Sequence, residues 1–349
     1  MAAVTRPARV IVRAALPGEG NAIAALWREL WDAHETWGGY PGSRDARVYA
    51  QLALRLDEDA RARAGQPILG RHVHLVADLG GTPCGQVEGW FERHGADPAT
   101  PFTCEVRSLI VRQGARRFGA GRALLEALAS AARLLARGTP TVLAAEVLEP
   151  NPAHDFYARV GYAPVAWNAR VPAEIGASTR SGPFVARVAV PQDAHAIACL
   201  EATLSLRRRA TGDVRFDRPR AVDATLVGAI AAHLATTPGV DSPAMQDPAT
   251  LVAVDAAGRV RGMASFTVHT LEPPFVPLRR ALVGRFALDP AAKTEPLARC
   301  LMAFGCRLAL AQCAPHVELT DLSPPGTDLH EAALTLGGAA WSRVVLRGA

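Results

Sequence analysis

The sequence predicts an α/β protein made of two tandem domains of like architecture, each a mixed sheet flanked by helices. Three observations predict it. β-Branched strand-like runs alternate with amphipathic helical stripes along the chain. Residues of the first half recur 174 to 177 positions later in the second. A glycine turn, Arg116-Arg117-Phe118-Gly119-Ala120-Gly121, joins one such run to a strongly amphipathic helix. A length of 349 residues suffices for about two ordinary domains with a full core each.

Residues 9–15 read as a first strand, and Pro17–Asn21 as a turn that starts a helix. Ile23, Leu26, Trp27, Leu30 and Trp31 then fall on one helical face. That helix stops in Trp37-Gly38-Gly39-Tyr40-Pro41-Gly42, and a second helix covers Asp45 to about Arg63. His72–Asp78 and Gln86–Phe91 flank Gly80-Gly81 as a hairpin. A strand over 104–111 leads into the glycine turn. In the next helix Leu124, Leu128, Ala131 and Leu135 share one face. Thr141–Val147 is a strand, Asn151-Pro152 opens a short helix that Gly161 stops, and Ala163–Val171 is a last strand. Residues 172–183, PAEIGASTRSGP, read as a linker.

The second half repeats this order. Pro17, Ala22, Ile23, Ala24 and Leu26 match Pro191, Ala196, Ile197, Ala198 and Leu200 at an offset of 174. Leu75-Val76-Ala77 matches Leu251-Val252-Ala253 at 176, and Gly85 matches Gly262 at 177. The period is domain-sized, so the repeat is a duplication and not a solenoid. The expected domains are 1–175, a linker at 176–183, and 184–349.

The physical content of the turn at 116–121 is an anion site. The first-turn amides of a helix have no intrahelical partner and lie at its positive end. Such a turn suits phosphate. Gly119 and Gly121 leave room for a ligand to touch the backbone, and Arg116, Arg117 and Arg122 add positive charge.

Val111, Arg116, Gly119, Gly121, Ala123, Leu124 and Leu125 fall in register with a V-x-P-x-x-R-G-x-G-x-G…A-L-L pattern. Asn151, Tyr157, Gly161 and Tyr162 follow as a second signature. On these residues the first half resembles the GNAT superfamily of acyl-CoA-dependent N-acyltransferases. Gln113 and Arg117 depart from the usual Pro and Gly, and the Asn-to-Tyr spacing is one residue shorter than in many members. The resemblance implies a mostly antiparallel sheet in each domain, splayed between its fourth and fifth strands. It implies acetyl-CoA as co-substrate, with the pyrophosphate on Arg116, Arg117, Phe118, Gly119, Ala120, Gly121 and Arg122. The pantetheine arm would pair with Leu109, Ile110 and Val111, and Asn151 would add a contact to the cofactor. An amine attacks the thioester directly, and a phenol such as Tyr157 protonates the leaving thiolate.

Glu105 stands six residues before Val111, where histone-acetylating members carry their general base, and Glu88 on the preceding strand is its rival. Strand alternation places 105, 107, 109 and 111 on one face. The loop after the first helix lines the acceptor pocket in this family, which makes Glu35, Trp37, Tyr40 and Glu88 candidate substrate contacts, with Asp45 a further carboxylate for a cationic amine. His72 and His74 alternate onto one strand face, but no third ligand accompanies them, so no metal is expected.

The second half lacks this equipment. At an offset of 177 Arg116, Gly119 and Gly121 become Lys293, Pro296 and Ala298, and Pro296 has no amide to give. The Tyr157 position becomes Ala333 or Leu334. The second domain is therefore a degenerate copy, left to complete the acceptor site, cover the first domain or make a homodimer.

Composition narrows the function. The net charge is +5 and Lys293 is the only lysine; the arginines are scattered and carry no nucleic-acid motif, so no nucleic-acid partner is expected. No uncharged run is long enough for a bilayer, and residues 1–20 lack the apolar core of a signal peptide. The six cysteines form no C-x-x-C pair. A cytoplasmic N-acetyltransferase of a small-molecule primary amine, such as an amino sugar, is expected. The alternative is a non-catalytic acyl-CoA or antibiotic-binding protein on the same scaffold.

Overall fold

The structure is a computed structural model that describes residues 9–93, 100–179, 182–215, 221–236 and 248–349. The first half runs β1 (Val10–Arg13), α1 (Gly20–Thr36), α2 (Ala46–Arg63), β2 (Ile68–Leu69), β3 (His72–Leu79), β4 (Thr82–Arg93), β5 (Phe102–Val111), α3 (Ala120–Ala136), β6 (Thr141–Leu148), α4 (His154–Arg159) and β7 (Ala163–Pro172). The second continues with α5 (Ala173–Ser178), β8 (Val185–Val188), α6 (Ala194–Ala210), α7 (Ala224–Thr236), β9 (Ala249–Val254), β10 (Val260–Thr270), β11 (Arg279–Leu288), α8 (Thr294–Ala311), β12 (His316–Leu322), α9 (Asp328–Thr335) and β13 (Ala339–Gly348). Apart from the short β2 and α5, the second half repeats the first element for element.

Two compact units result. Unit 1 is residues 1–163 with 272–276 and 346–349; unit 2 is 164–271 with 277–345. The first boundary falls after Ala163, the first residue of β7, so most of β7 lies in unit 2. The reason is strand pairing: β7 runs antiparallel to β12, with Val171 opposite Val317 and Pro172 opposite His316. The stretch read as a linker is in part a helix. Ala173 and Gly176 of α5 are buried, and a Cβ on Gly176 would stand 2.3 Å from the Cys306 sulfur of α8. Residues 180–181 of that stretch lie outside the described residues. The last residues of the chain return to unit 1, where Ala349 N donates to Thr141 O (3.0 Å).

In unit 1 the order β1-β3-β4-β5-β6 is antiparallel except for the last pair, with β2 beside β3. α3 covers one face: Leu124, Leu125 and Leu128 are fully buried, each contributing about 2 kcal/mol by area burial. α1 and α2 cover the other, where Val76 of β3 packs with Ile23, Ala53 and Leu56. Unit 2 has the order β7-β12-β11-β10-β9-β8, again with one parallel pair, β11 with β12. Its α8 buries Leu297 and Leu301 against Phe266, Val283 and Phe286. On the opposite face Ile197 and Leu200 of α6 meet Met263 and Ala287.

Each unit therefore carries a mostly antiparallel sheet with a single splay. β5 pairs with β6 only from Phe102–Thr141 to Val106–Ala145. Beyond Val106 the two strands part, and among the described residues the backbone of 107–111 pairs with no strand on that side.

Candidate active site

The splay is produced at Ser108. Its φ is +54°, left-handed for a residue with a Cβ, and the β4–β5 register slips there: Gln86 faces Ile110, whereas Glu88 faces Arg107. A bulge of this kind inserts an extra residue and re-aims the strand. It also corrects the expected alternation. Glu105 (opposite Trp90), Arg107 (opposite Glu88) and Ile110 (opposite Gln86) share the face toward α1. Val111 falls on the other face, with its Cγ2 3.7 Å from where a Cβ on Gly121 would stand.

The turn after β5 has the form of an anion cradle. Arg117 and Gly119 both have left-handed backbones, φ 73° and 82°, and alternating handedness turns successive amides to one side. The first helical bond of α3 is from Ala123 N to Gly119 O (2.9 Å), which leaves the amides of Ala120, Gly121 and Arg122 outside the helical ladder. Arg116 braces the turn through Nε to Val111 O (3.1 Å). Arg117, Phe118 and Arg122 are exposed. Gly121 has a local reason: a Cβ there would stand 3.2 Å from Phe156 Cζ, tight enough to push it.

That contact brings α4 over the turn. Asn151 Oδ1 accepts from Ala153 N (2.9 Å), closing the turn that leads into α4. Tyr157 follows Phe156 and is buried, its ring edge-on to Tyr162 at 5.2 Å. Burial holds its phenol above the ordinary value of 10.0, so it is a proton donor at every working pH. Val111, the turn and α4 thus converge at the open end of the splay.

The two carboxylates differ in setting. Glu105 is ion-paired with Arg107 (side chains 33% and 52% exposed) and stands on the part of β5 paired on both sides. Glu88 is buried on the α1-facing side of β4. Ser108 donates from its hydroxyl to Glu88 Oε2 (3.3 Å), and His72 Nε2 faces Oε1 at 3.4 Å. Arg63 donates to His72 Nδ1 (2.6 Å), so the ring proton rests on Nε2, toward Glu88. Burial by itself would raise the Glu88 carboxyl. The His72 contact, the charges of His74 and His72, and the Ser108 hydroxyl outweigh it and hold the group below 4.5. His74, fully buried beside Gln86 Oε1 (3.1 Å), is held low by burial.

The loop after α1 is used mostly by the protein itself. Trp37 is the helix C-cap. Glu35 pairs with Arg44 (2.7 Å), and Asp45 caps α2 by accepting from Arg47 N (2.9 Å). Tyr40 is half-buried. Among the described residues no hydrogen bond or ring contact brings Glu35 or Trp37 together with Glu88. His72 and Ser108 escaped sequence reasoning as partners of Glu88, because they meet it only through the β3–β4 pairing and the bulge, and Arg63 of α2 escaped as the partner of His72. Among the described residues no group of three or more His, Cys, Asp or Glu is arranged to hold a metal, and no helix is long and apolar enough to cross a membrane.

Comparison with known proteins agrees with this geometry. Residues 25–162 match the model of the acetyltransferase (GNAT) family. No curated protein matches the chain in sequence. Among solved structures the chain is similar to a GCN5-related N-acetyltransferase from Sphaerobacter thermophilus, 16% identical with a TM-score of 0.57, over 99% of this chain and 97% of that one. It is similar to a tandem GNAT protein from the clavulanic acid biosynthesis pathway, 15% identical with a TM-score of 0.50, over 97% and 98%. A glucosamine N-acetyltransferase region of a fungal multi-domain GH3 β-N-acetylglucosaminidase is 13% identical with a TM-score of 0.55, over 98% of this chain and 38% of that one. Residues 25–162 thus match the acetyltransferase (GNAT) family model, and the chain as a whole has the fold of GCN5-related N-acetyltransferases, a tandem GNAT protein among them.

Proposed function

We propose that the chain transfers an acetyl group from acetyl-CoA to the primary amine of a small molecule, and that unit 1 carries the reaction. The observation that supports this most is the convergence of splay, amide turn and α4 at one end of β5. The free amides of Ala120, Gly121 and Arg122 suit a pyrophosphate. The backbone of 109–111 lies beyond the last β5–β6 pair and suits the amides of a pantetheine arm, with the Arg116 contact to Val111 O giving way to it, and a thioester carried down it would lie in the splay.

Glu88 is the base in this reading. A carboxylate kept ionised by His72 and Ser108 attracts an ammonium group and takes its proton, directly or through a water. The amine nitrogen then bonds to the acyl carbon and the carbon–sulfur bond breaks. The Tyr157 phenol supplies a proton to the departing thiolate, so amide and free thiol leave. Glu105, neutralised by Arg107, is the weaker candidate for that role.

The test is calorimetry with acetyl-CoA, followed by transfer assays over a panel of primary amines. Binding and thiol release that depends on an amine support the proposal. Absence of any acetyl-CoA binding refutes it. Tyr157→Phe should cut kcat by about a hundredfold, within the usual contribution of a positioned acid, while leaving acetyl-CoA affinity in place.

A further inference from the structure

Residues 272–276 lie between β10 and β11, strands of unit 2, yet they belong to unit 1. Backbone bonds hold them there. Ser43 N donates to Pro274 O (2.7 Å), Val276 N donates to Pro41 O (3.0 Å), and Gly42 and Phe275 form a bridge. These bonds fix the segment on the loop between α1 and α2. Gly42 permits the approach, because a Cβ there would stand 2.9 Å from Trp31 Cβ and 3.2 Å from the Tyr49 hydroxyl.

The segment delivers one ring. Phe275 lies 4.5 Å, centroid to centroid, from Trp31, which lies 5.3 Å from Trp27. Tyr49, Leu26, Leu30 and Ile110 complete the cluster. Phe275, Trp27 and Tyr49 are only half-buried, so they keep surface for contact. The indole N–H groups of Trp27 and Trp31 are turned into the protein and covered, so the cluster offers ring surface to a ligand.

Its position matters because of Ile110. The bulge turns Ile110 toward α1, the same face that holds Glu88, and Ser108, two residues earlier, touches Glu88. Two strand residues span about 7 Å. An amine at Glu88 would therefore extend its body along β5 toward Ile110 and the rings. A carboxylate at one end and an aromatic wall at the other match an amine on a cyclic or aromatic body.

We propose that Phe275, brought in from the second half of the sequence, is part of the acceptor wall of unit 1 and selects amines with a cyclic or aromatic body. This rests on the transferase reading above. The loop segment gives the second half a part in specificity that its own degenerate turn does not.

The test uses the full chain with acetyl-CoA and three probe amines: 2-phenylethylamine, glucosamine and 1,4-diaminobutane. For the native protein a cyclic or aromatic amine should have the highest kcat/KM. Phe275→Ala should raise the KM for it by about tenfold, leave kcat and the acetyl-CoA affinity within about twofold, and narrow the preference over 1,4-diaminobutane. Phe275→Leu keeps the apolar volume and should lie between, which secures the reading if the alanine variant unfolds in a thermal melt. A native protein that prefers 1,4-diaminobutane, or variants with unchanged acceptor KM and order, would overturn this inference alone. A native protein that binds acetyl-CoA but acetylates no amine would overturn the transferase reading and this one with it.

Discussion

Ser108 and Arg285 stand 177 residues apart and have the same left-handed backbone, φ 54° and 53°. Around both the register slips identically: Gln86 and Glu88 face Ile110 and Arg107, and Met263 and Ser265 face Ala287 and Gly284. A non-glycine residue with positive φ costs energy and is kept where surrounding structure demands it. The duplication preserved that bulge, and with it the splay. What it did not preserve is the chemistry, since Ser265 stands where Glu88 does and Arg285 where Ser108 does.

Unit 2 also fills its own splay. Arg207, near the end of α6, donates to the carbonyl of Phe286, the repeat counterpart of Leu109 whose backbone is open in unit 1. The strand-to-helix turn differs as well: Asp289 accepts from Ala291 N (2.9 Å), and Glu295 sits in the first turn of α8. Acidic groups there repel a phosphate. Acetyl-CoA should therefore bind with a stoichiometry of one per chain in calorimetry. Gly121→Pro should abolish that binding, because proline removes an amide yet is tolerated in a first helical turn. Two sites per chain, or unchanged affinity in the variant with a native melting curve, would refute the assignment.

Glu88 and His72 make a pH prediction. The Glu88 carboxyl is held below 4.5 although burial opposes this. A base with a lowered pKa stays ionised down to lower pH, so the acid limb of kcat/KM should lie below the ordinary glutamate range. An acceptor amine of low basicity is needed, so that its own titration does not mask the limb. His72→Gln removes the main lowering contact and leaves burial dominant, so the limb should move up. Glu88→Gln should cut kcat by about 10²–10⁴-fold, the range for lost general-base catalysis, and Glu105→Gln by only a few-fold. A large loss in the Glu105 variant with little in the Glu88 variant would exchange their roles.

How much of this was legible in the sequence depends on the range of the contacts. The Arg116–Gly121 turn and Asn151 act through their own backbone and near neighbours, so local pattern sufficed. The order of strands and helices was legible for the same reason. The face on which Ile110 sits was not, because strict alternation assumes a regular strand and the bulge at Ser108 depends on its partner β4. Nor was the pairing of β7 with β12, since a hydrophobic strand does not reveal which of two similar sheets it joins. Phe275 sits 244 residues from Trp31 in the chain, beyond any local signal.

The segment read as a linker supplies a stability test. Gly176 in α5 has the Cys306 sulfur 2.3 Å from the place of a Cβ, and Cys306 is fully buried in α8. A methyl group there overpacks the core, which costs about 1–3 kcal/mol. Gly176→Ala should lower the denaturant midpoint by that much and open residues 172–179 to protease. A flexible linker would tolerate the change with no shift in the midpoint.

Two histidines should make stability fall in mild acid. Burial lowers His34, packed between Trp31 and Trp37, from 6.5 to about 4. His74 is lowered too, by burial that outweighs the pull of Glu88. Between pH 6.5 and about 4 the unfolded chain binds a proton at His34 that the folded chain does not, and His74 acts in the same direction below 6.5. The unfolding free energy must then rise with pH across this window and drop as pH falls through it. For His34 the full effect is about 3 kcal/mol at most. His34→Gln should flatten the dependence of the urea midpoint on pH between 4 and 6.5, relative to the native protein. Carboxylates held low by ion pairs, such as Glu19 with Arg13, act below that window and are unchanged in the variant, so the difference between the two curves isolates His34. Parallel curves would mean that His34 takes up its proton without unfolding.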